Sequence, residues 1–153
     1  MELMVVIVII GAVYALVVSK LQNVQKEKSL PTLSRLKSYV ASFVKDGKKA
    51  TLLCSEACKK CEVFRDGSKV ADVESFFDAS IERYRYDFFM GDVFLESQNC
   101  FEFSVDAKGV SDQVFVLYKG KVYDYTPYFD ELHVYDSLGA FHTAKEQLVS
   151  EVK

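Results

Sequence analysis

Leu3 to Val18 is an unbroken run of sixteen residues without a charged side chain, and Glu2 stands immediately before it. Apart from the Tyr14 hydroxyl, the run carries no polar side-chain group. Such a stretch predicts a membrane helix, because a helix satisfies its own backbone hydrogen bonds where water cannot. As a helix it covers roughly 24 Å at about 1.5 Å per residue. A bilayer core is about 30 Å thick and asks for about 20 residues, so the run is slightly short. A few further apolar residues ahead of Met1 would close the gap, and Met1 is accordingly expected to be an internal methionine of a longer precursor. A carboxylate beside hydrocarbon is expensive without a partner, so Glu2 requires an explanation. A cleaved signal peptide fits poorly: no basic region precedes the run, and Gly11 to Val18 holds no small-x-small cleavage site.

The string Glu2-Leu3-Met4-Val5-Val6-Ile7-Val8-Ile9-Ile10-Gly11 closely resembles the N-terminal segment of type IV pilins and type II secretion pseudopilins. Mature chains of that family begin with phenylalanine, two further residues and an apolar position before the glutamate. The phenylalanine and the basic leader are missing here, so the resemblance names no methylation site. It implies a membrane-anchoring helix through Leu3, Val5, Val6, Ile7, Val8, Ile9, Ile10 and Gly11. It also implies that Glu2 neutralises the terminal amine of a neighbouring subunit during assembly. A carboxylate in low dielectric gains much from an opposite charge and loses much without one, which suits a register device.

Beyond the run the character changes. Leu21 and Val24 continue a thin helical stripe towards Pro31, which cannot sit inside a helix without removing a hydrogen bond. A kink near residue 31 is expected. Leu33, Leu36, Val40, Phe43 and Val44 then recur at helical spacing with polar residues opposite, predicting an amphipathic helix capped by Gly47. From Lys49 the period becomes two. Strands are expected over 50–54, 61–65, 68–73, 81–88, 101–105, 113–118, 121–125 and 132–135. Asp66-Gly67 is the strongest hairpin signal, and Lys119-Gly120 is a second turn. A last helix is expected through Leu138, Phe141, Leu148 and Val152, capped by Asp136 or Ser137.

These segments predict an α+β chain in three parts: an anchoring helix over 1–18, its continuation over 19–47, and a β-rich head over 48–153. The long N-terminal helix is expected to pack on one antiparallel sheet, which is also the pilin-like layout that the resemblance implies. The hairpin-rich middle is somewhat similar to the H-type minor pseudopilins.

Cys54, Cys58, Cys61 and Cys100 allow three pairings, and the sequence does not choose among them. Two structural disulfides are expected in an oxidising compartment. A tetrathiolate zinc site lacks the usual second Cys-x2-Cys. A redox pair at Cys58-Lys59-Lys60-Cys61 would gain from its lysines but lacks a thioredoxin-like context. Asp124, Asp130, Glu131 and Asp136 do not have the spacing of a calcium loop. His133 and His142 stand far from any serine or cysteine motif, and neither a phosphate loop nor a nucleophile elbow is present. No cofactor and no catalytic set are expected.

A net charge of −3 lacks the basic footprint of a nucleic-acid binder. The expectation is a non-enzymatic pilin-like subunit, single-pass in a bacterial inner membrane with its head in the periplasm. Its partners would be other pilin-like subunits, the inner-membrane assembly platform and lipid around the N-terminal helix. Secretion, DNA uptake and fibre initiation are the tasks considered. The alternative is a signal-anchored thiol-disulfide protein using Cys58 and Cys61.

Overall fold

The computed structural model describes Ile10, Gly11, Val13 and Tyr14, then residues 31–127 and 132–151. The chain divides into two compact units, Met1–Leu30 and Pro31–Lys153. In the first, the four described residues are helical, with Ile10, Val13 and Tyr14 exposed. Glu2, Leu3, Val5, Val6, Ile7, Val8 and Ile9 lie outside the described residues, as does the expected helical continuation over 19–30.

The second unit opens with a 3-10 turn over Leu33–Arg35 and a helix α1 over Leu36–Ala41. Leu33, Leu36 and Val40 are buried, and Phe43 and Val44 pack against the same core, so the apolar stripe has the role its spacing suggested. The helix itself is short. Ser38 Oγ and Ser42 Oγ turn back onto the carbonyls of Arg35 and Tyr39, a local bond that competes with helical propagation. The amides of Phe43 and Val44 reach back only three residues, the tightened geometry of a helix end. Gly47 is left-handed as expected (φ 68°), but with Asp46 (φ 55°) it makes a tight turn between Lys45 and Lys48 instead of a helix cap.

Nine strands follow among the described residues. β1 (Ala50–Ser55), β2 (Lys60–Arg65), β3 (Ser68–Val73) and β6 (Phe101–Val105) form one antiparallel sheet in the order β3-β2-β1-β6. β4 (Glu82–Asp87), β5 (Gly91–Phe94), β7 (Phe115–Tyr118), β8 (Lys121–Asp124) and β9 (His133–Tyr135) form the other, in the order β5-β4-β7-β8-β9. The turns Asp66-Gly67 (φ 50° and 81°) and Lys119-Gly120 (φ 50° and 78°) are left-handed at both positions, the geometry whose twist matches two antiparallel strands.

Alternation then sorts side chains into two cores. Leu52, Val63, Phe101 and Phe103 of the first sheet join Leu36 and Val40 of α1, and Val116 and Tyr125 enter the same cluster from the second sheet. On the opposite face of the second sheet, Phe115 and Val122 meet Phe141 of the C-terminal helix α2 (Leu138–Glu151). Tyr84 stacks on Phe115 with ring centres 5.3 Å apart. Ser137 caps α2, its Oγ accepting the Ala140 amide at 3.1 Å.

The expected fold class is therefore corrected. Instead of a long helix lying on one sheet, two antiparallel sheets and short helices share the core. The alternating segments are numerous enough to bury apolar faces against one another, and helices only complete the cover. The single-pass inner-membrane placement and its membrane terms are corrected too: among the described residues, no helix is long and apolar enough to cross a membrane. α2, with 14 residues, spans roughly 21 Å and carries Lys145 and Glu146.

Phe141 is fully buried and joins α2 to three aromatic rings, so Phe141→Ala should destabilise the unit by about 3–5 kcal/mol. Equilibrium urea unfolding measures this, and a loss below about 1 kcal/mol would show that α2 does not belong to the core. Tyr84 donates to Glu82 at 2.7 Å, and that bond, together with burial, pushes its phenol up to about 12. An unfolded tyrosine ionises near 10. The neutral phenol's contribution is thus complete below about pH 10 and is lost as pH rises through about 12. In an ultraviolet titration of the folded protein, Tyr84→Phe should remove a late-ionising phenol; a curve identical to the parent's contradicts this.

Candidate functional site

The four cysteines gather at one end of the first sheet. Cys54 of β1 and Cys61 of β2 face each other across the hairpin, with Cα atoms 4.1 Å apart, and are bonded. Cys58, in the loop between those strands, is bonded to Cys100 at the start of β6 with Cα atoms 5.3 Å apart. Between them the chain makes a left-handed turn: Glu56, Ala57 and Cys58 have φ of 53°, 55° and 65°. A left-handed residue with a Cβ costs roughly 1–2 kcal/mol. The turn is held by the buried Cys58 sulfur beneath it and by the Lys59 amide, which donates to Glu56 O at 3.2 Å.

This pairing resolves the three alternatives left open by the sequence. Every thiol is in a disulfide, which leaves no thiolate for a zinc site. Cys58 and Cys61 have different partners, so the Cys-x2-Cys motif is not a closed dithiol pair. Among the described residues, no group of three or more His, Cys, Asp or Glu could hold a metal. Of the acids considered for calcium, Asp136 pairs with Lys121 at 3.6 Å, while Asp130 and Glu131 lie outside the described residues.

Asp124 has a different use. It is buried, and its Oδ1 accepts from the Thr126 amide and hydroxyl at 3.0 and 2.7 Å. Lys145 Nζ of α2 lies 2.7 Å from its Oδ2. That second contact is an ion pair without hydrogen-bond alignment, which is why Oδ2 has no hydrogen-bonded partner. Lys145 Nζ instead donates to Thr126 Oγ1 at 2.7 Å and lies over the Phe141 ring. Nearly one turn earlier in α2, His142 Nε2 meets Asp92 Oδ2 of β5 at 2.8 Å. These two contacts bolt α2 across the second sheet, which gives His142 a structural role; His133 is exposed on β9.

Open clefts flank the sheets among the described residues. One, of about 570 Å³, places Lys49, Arg83 and Arg85 near Glu102, Asp106 and Asp112. Its acids hold backbone: Asp112 Oδ2 accepts the Ser104 amide at 2.8 Å, and Asp106 Oδ1 accepts the amides of Lys108 and Val110 at 2.8 Å. Another, of about 520 Å³, lies beside the Cys58–Cys100 staple between Glu56 and Asn99.

Sequence reasoning placed Phe88 on a strand face with Tyr84 and Tyr86. The strand stops at Asp87, and Phe88-Phe89-Met90 become the tip of the β4–β5 hairpin, with 59%, 92% and 74% of their surfaces exposed. Asp87 Oδ1 accepts the amides of Phe89 and Met90 at 2.8 and 2.9 Å, which holds its carboxyl below the usual range and fixes the turn. Gly91, at φ 77°, was the readable sign of this bend, since an isolated glycine inside a strand pattern marks a turn or bulge. No protein-family model, curated protein or solved structure matches the chain.

The two disulfides should differ in weight. They close loops with sequence separations of 42 and 7 residues, worth about 4 and about 2.4 kcal/mol by loop entropy. Replacing Cys58 and Cys100 by serine should therefore lower stability more than replacing Cys54 and Cys61, as denaturant midpoints can measure. The reverse order would mean that native contacts around the hairpin, and not loop closure, dominate.

Proposed function

We propose that this chain is a non-enzymatic structural subunit that assembles with related chains through its N-terminal segment, with the Pro31–Lys153 unit as its head. The observation that carries this reading is the string Glu2 to Gly11 and its resemblance to type IV pilins. A single carboxylate ahead of an apolar run is a costly feature unless a neighbour's positive charge meets it. Used that way, it sets the register between adjacent helices. The work is mechanical, within the classes of protein secretion, DNA uptake or fibre initiation. The resemblance is confined to the N-terminal string.

The head supports this reading by its construction. Its thiols are spent on staples that constrain the unfolded chain, and its buried charges tie elements together. Dithiol exchange, the alternative, needs Cys58 and Cys61 to act as a pair, and each is bonded elsewhere.

Glu2→Ala in the full chain should lower co-purification and inter-subunit crosslinking with related subunits at least several-fold. The thermal melt of the head should not change, because Glu2 belongs to the other compact unit. Undiminished assembly in the variant would remove the pairing role and, with it, the main support for the reading.

A further inference from the structure

Three consecutive residues that carry a Cβ, Glu56, Ala57 and Cys58, stand in the left-handed region. The turns at Asp66-Gly67 and Lys119-Gly120 each place a glycine at one such position; this turn has none. A Cβ crowds the following carbonyl there, so such residues persist only where their surroundings fix them, and they gather at sites that switch. What fixes them here is narrow. The Lys59 amide bonds Glu56 O inside the loop, and Cys58 is bonded to Cys100. Glu56, Ala57 and Lys59 are exposed. Among the described residues, no hydrogen bond or ion pair joins 56–59 to 95–100.

The two disulfides also differ in access. Cys54 and Cys61 are 0% and 2% exposed, and their strands β1 and β2 are flanked by β6 and β3. Cys58 is covered as well, at 1%. Cys100 is only half-buried and lines the cleft of about 520 Å³. Glu56 and Ala57 of the β1–β2 loop line that cleft together with Ser97, Gln98 and Asn99 of the β5–β6 connection. The Cys58–Cys100 bond is the covalent tie between these two segments. Loop entropy weighs the unfolded chain, whereas strain and access decide how readily a folded chain releases a bond; strained or exposed disulfides are the labile ones.

We propose that the Cys58–Cys100 bond is a site of reversible thiol–disulfide exchange with a dithiol, and that opening it releases the Glu56–Cys58 turn while the Cys54–Cys61 bond stays closed. A thiolate of the dithiol attacks Cys100 Sγ from the cleft, and Cys58 leaves as a thiolate. The second thiol of the dithiol then attacks its partner sulfur in the mixed disulfide and expels Cys100. The dithiol ends as a disulfide, its two protons end on Cys58 and Cys100, and the chain has gained two electrons. Once Cys58 is free, its turn relaxes towards the right-handed or extended states that residues with a Cβ prefer. The pairing of β1 with β2 persists through its register and the Cys54–Cys61 bond, so the change is confined to one end of the first sheet. The chain is the target of exchange here, and the latch is independent of how the chain assembles.

The test is dithiothreitol, a small dithiol, titrated onto the folded full chain. Exposed thiols are alkylated as they appear, the rest are alkylated with a heavier isotope after unfolding and full reduction, and peptide mapping locates both labels. Cys58 and Cys100 should be labelled about tenfold faster than Cys54 and Cys61. Amide hydrogen exchange should then rise over 56–60 and 95–100, while 50–55 and 61–65 keep their protection. Equal rates, earlier opening of Cys54–Cys61, a new Cys58–Cys61 bond, or reduction without local exchange would each overturn the proposal. A second variant separates strain from access. Glu56→Gly with Ala57→Gly removes the left-handed cost without touching either sulfur, so in a dithiothreitol redox buffer the equilibrium should move roughly tenfold towards the Cys58–Cys100 disulfide. An unchanged equilibrium, or a shift the other way, would show that the turn does not load the bond and would overturn the latch.

Discussion

Tyr125 is the point at which the head closes. Its phenol donates to the Leu33 carbonyl across 92 positions of sequence, its amide donates to Val114 at 3.0 Å, and its ring lies 4.8 Å from that of Phe103. One side chain thereby ties the start of the second unit, the second sheet and the first sheet into one core. Burial pushes the phenol well above its usual range, so it remains a neutral donor. The Leu33 carbonyl also accepts the Leu36 amide, so the Tyr125 phenol adds a second, long-range bond to the end of the Leu33 turn. The first sheet alone would leave Phe101 and Phe103 uncovered; α1 and the second sheet complete the enclosure.

The second sheet is stabilised differently. Its outer face is closed by α2, and aromatic packing is backed there by two polar contacts, Asp124 with Lys145 and Asp92 with His142. A buried ion pair such as Asp124 with Lys145 contributes little net stability compared with well-packed apolar groups, but removing one partner is costly. Their effect here is positional. The two contacts fix how far α2 can slide over the strands, and through Asp92 the same helix holds the hairpin that carries Phe88-Phe89-Met90.

Local structure was legible wherever a residue type forces a backbone state. Asp66-Gly67 and Lys119-Gly120 announced left-handed turns, Ser137 announced a helix start, and Leu33, Leu36 and Val40 announced a buried stripe. Partition into two sheets was not legible, because it depends on distant pairings: β1 pairs with β6, and β4 with β7. Alternation reports which faces are apolar and is silent on which strand lies alongside. β5 was missed because Phe88 continues the alternation of Tyr84 and Tyr86, and only Gly91 breaks it. Among the candidate site residues, the cysteines were identified but their pairing was not. Cys54 and Cys61 become neighbours only once the hairpin register is fixed, and Asp124 shows its role only when α2 brings Lys145 over it.

The crossed cysteine arrangement has a consequence for how the chain must mature. A hairpin forms in roughly 1–10 μs, so β1 and β2 can present Cys54 to Cys61 early, from local contacts alone. Cys100 reaches Cys58 only when the 41 residues between them let β6 lie alongside β1. Until then Cys58 has a closer suitor, since Cys61 lies only three residues away, and a bond between those two would exclude both native ones. Early closure of Cys54 with Cys61 removes that competitor and leaves Cys58 a single destination. Order of oxidation, as much as final stability, is therefore written into the spacing of these four residues.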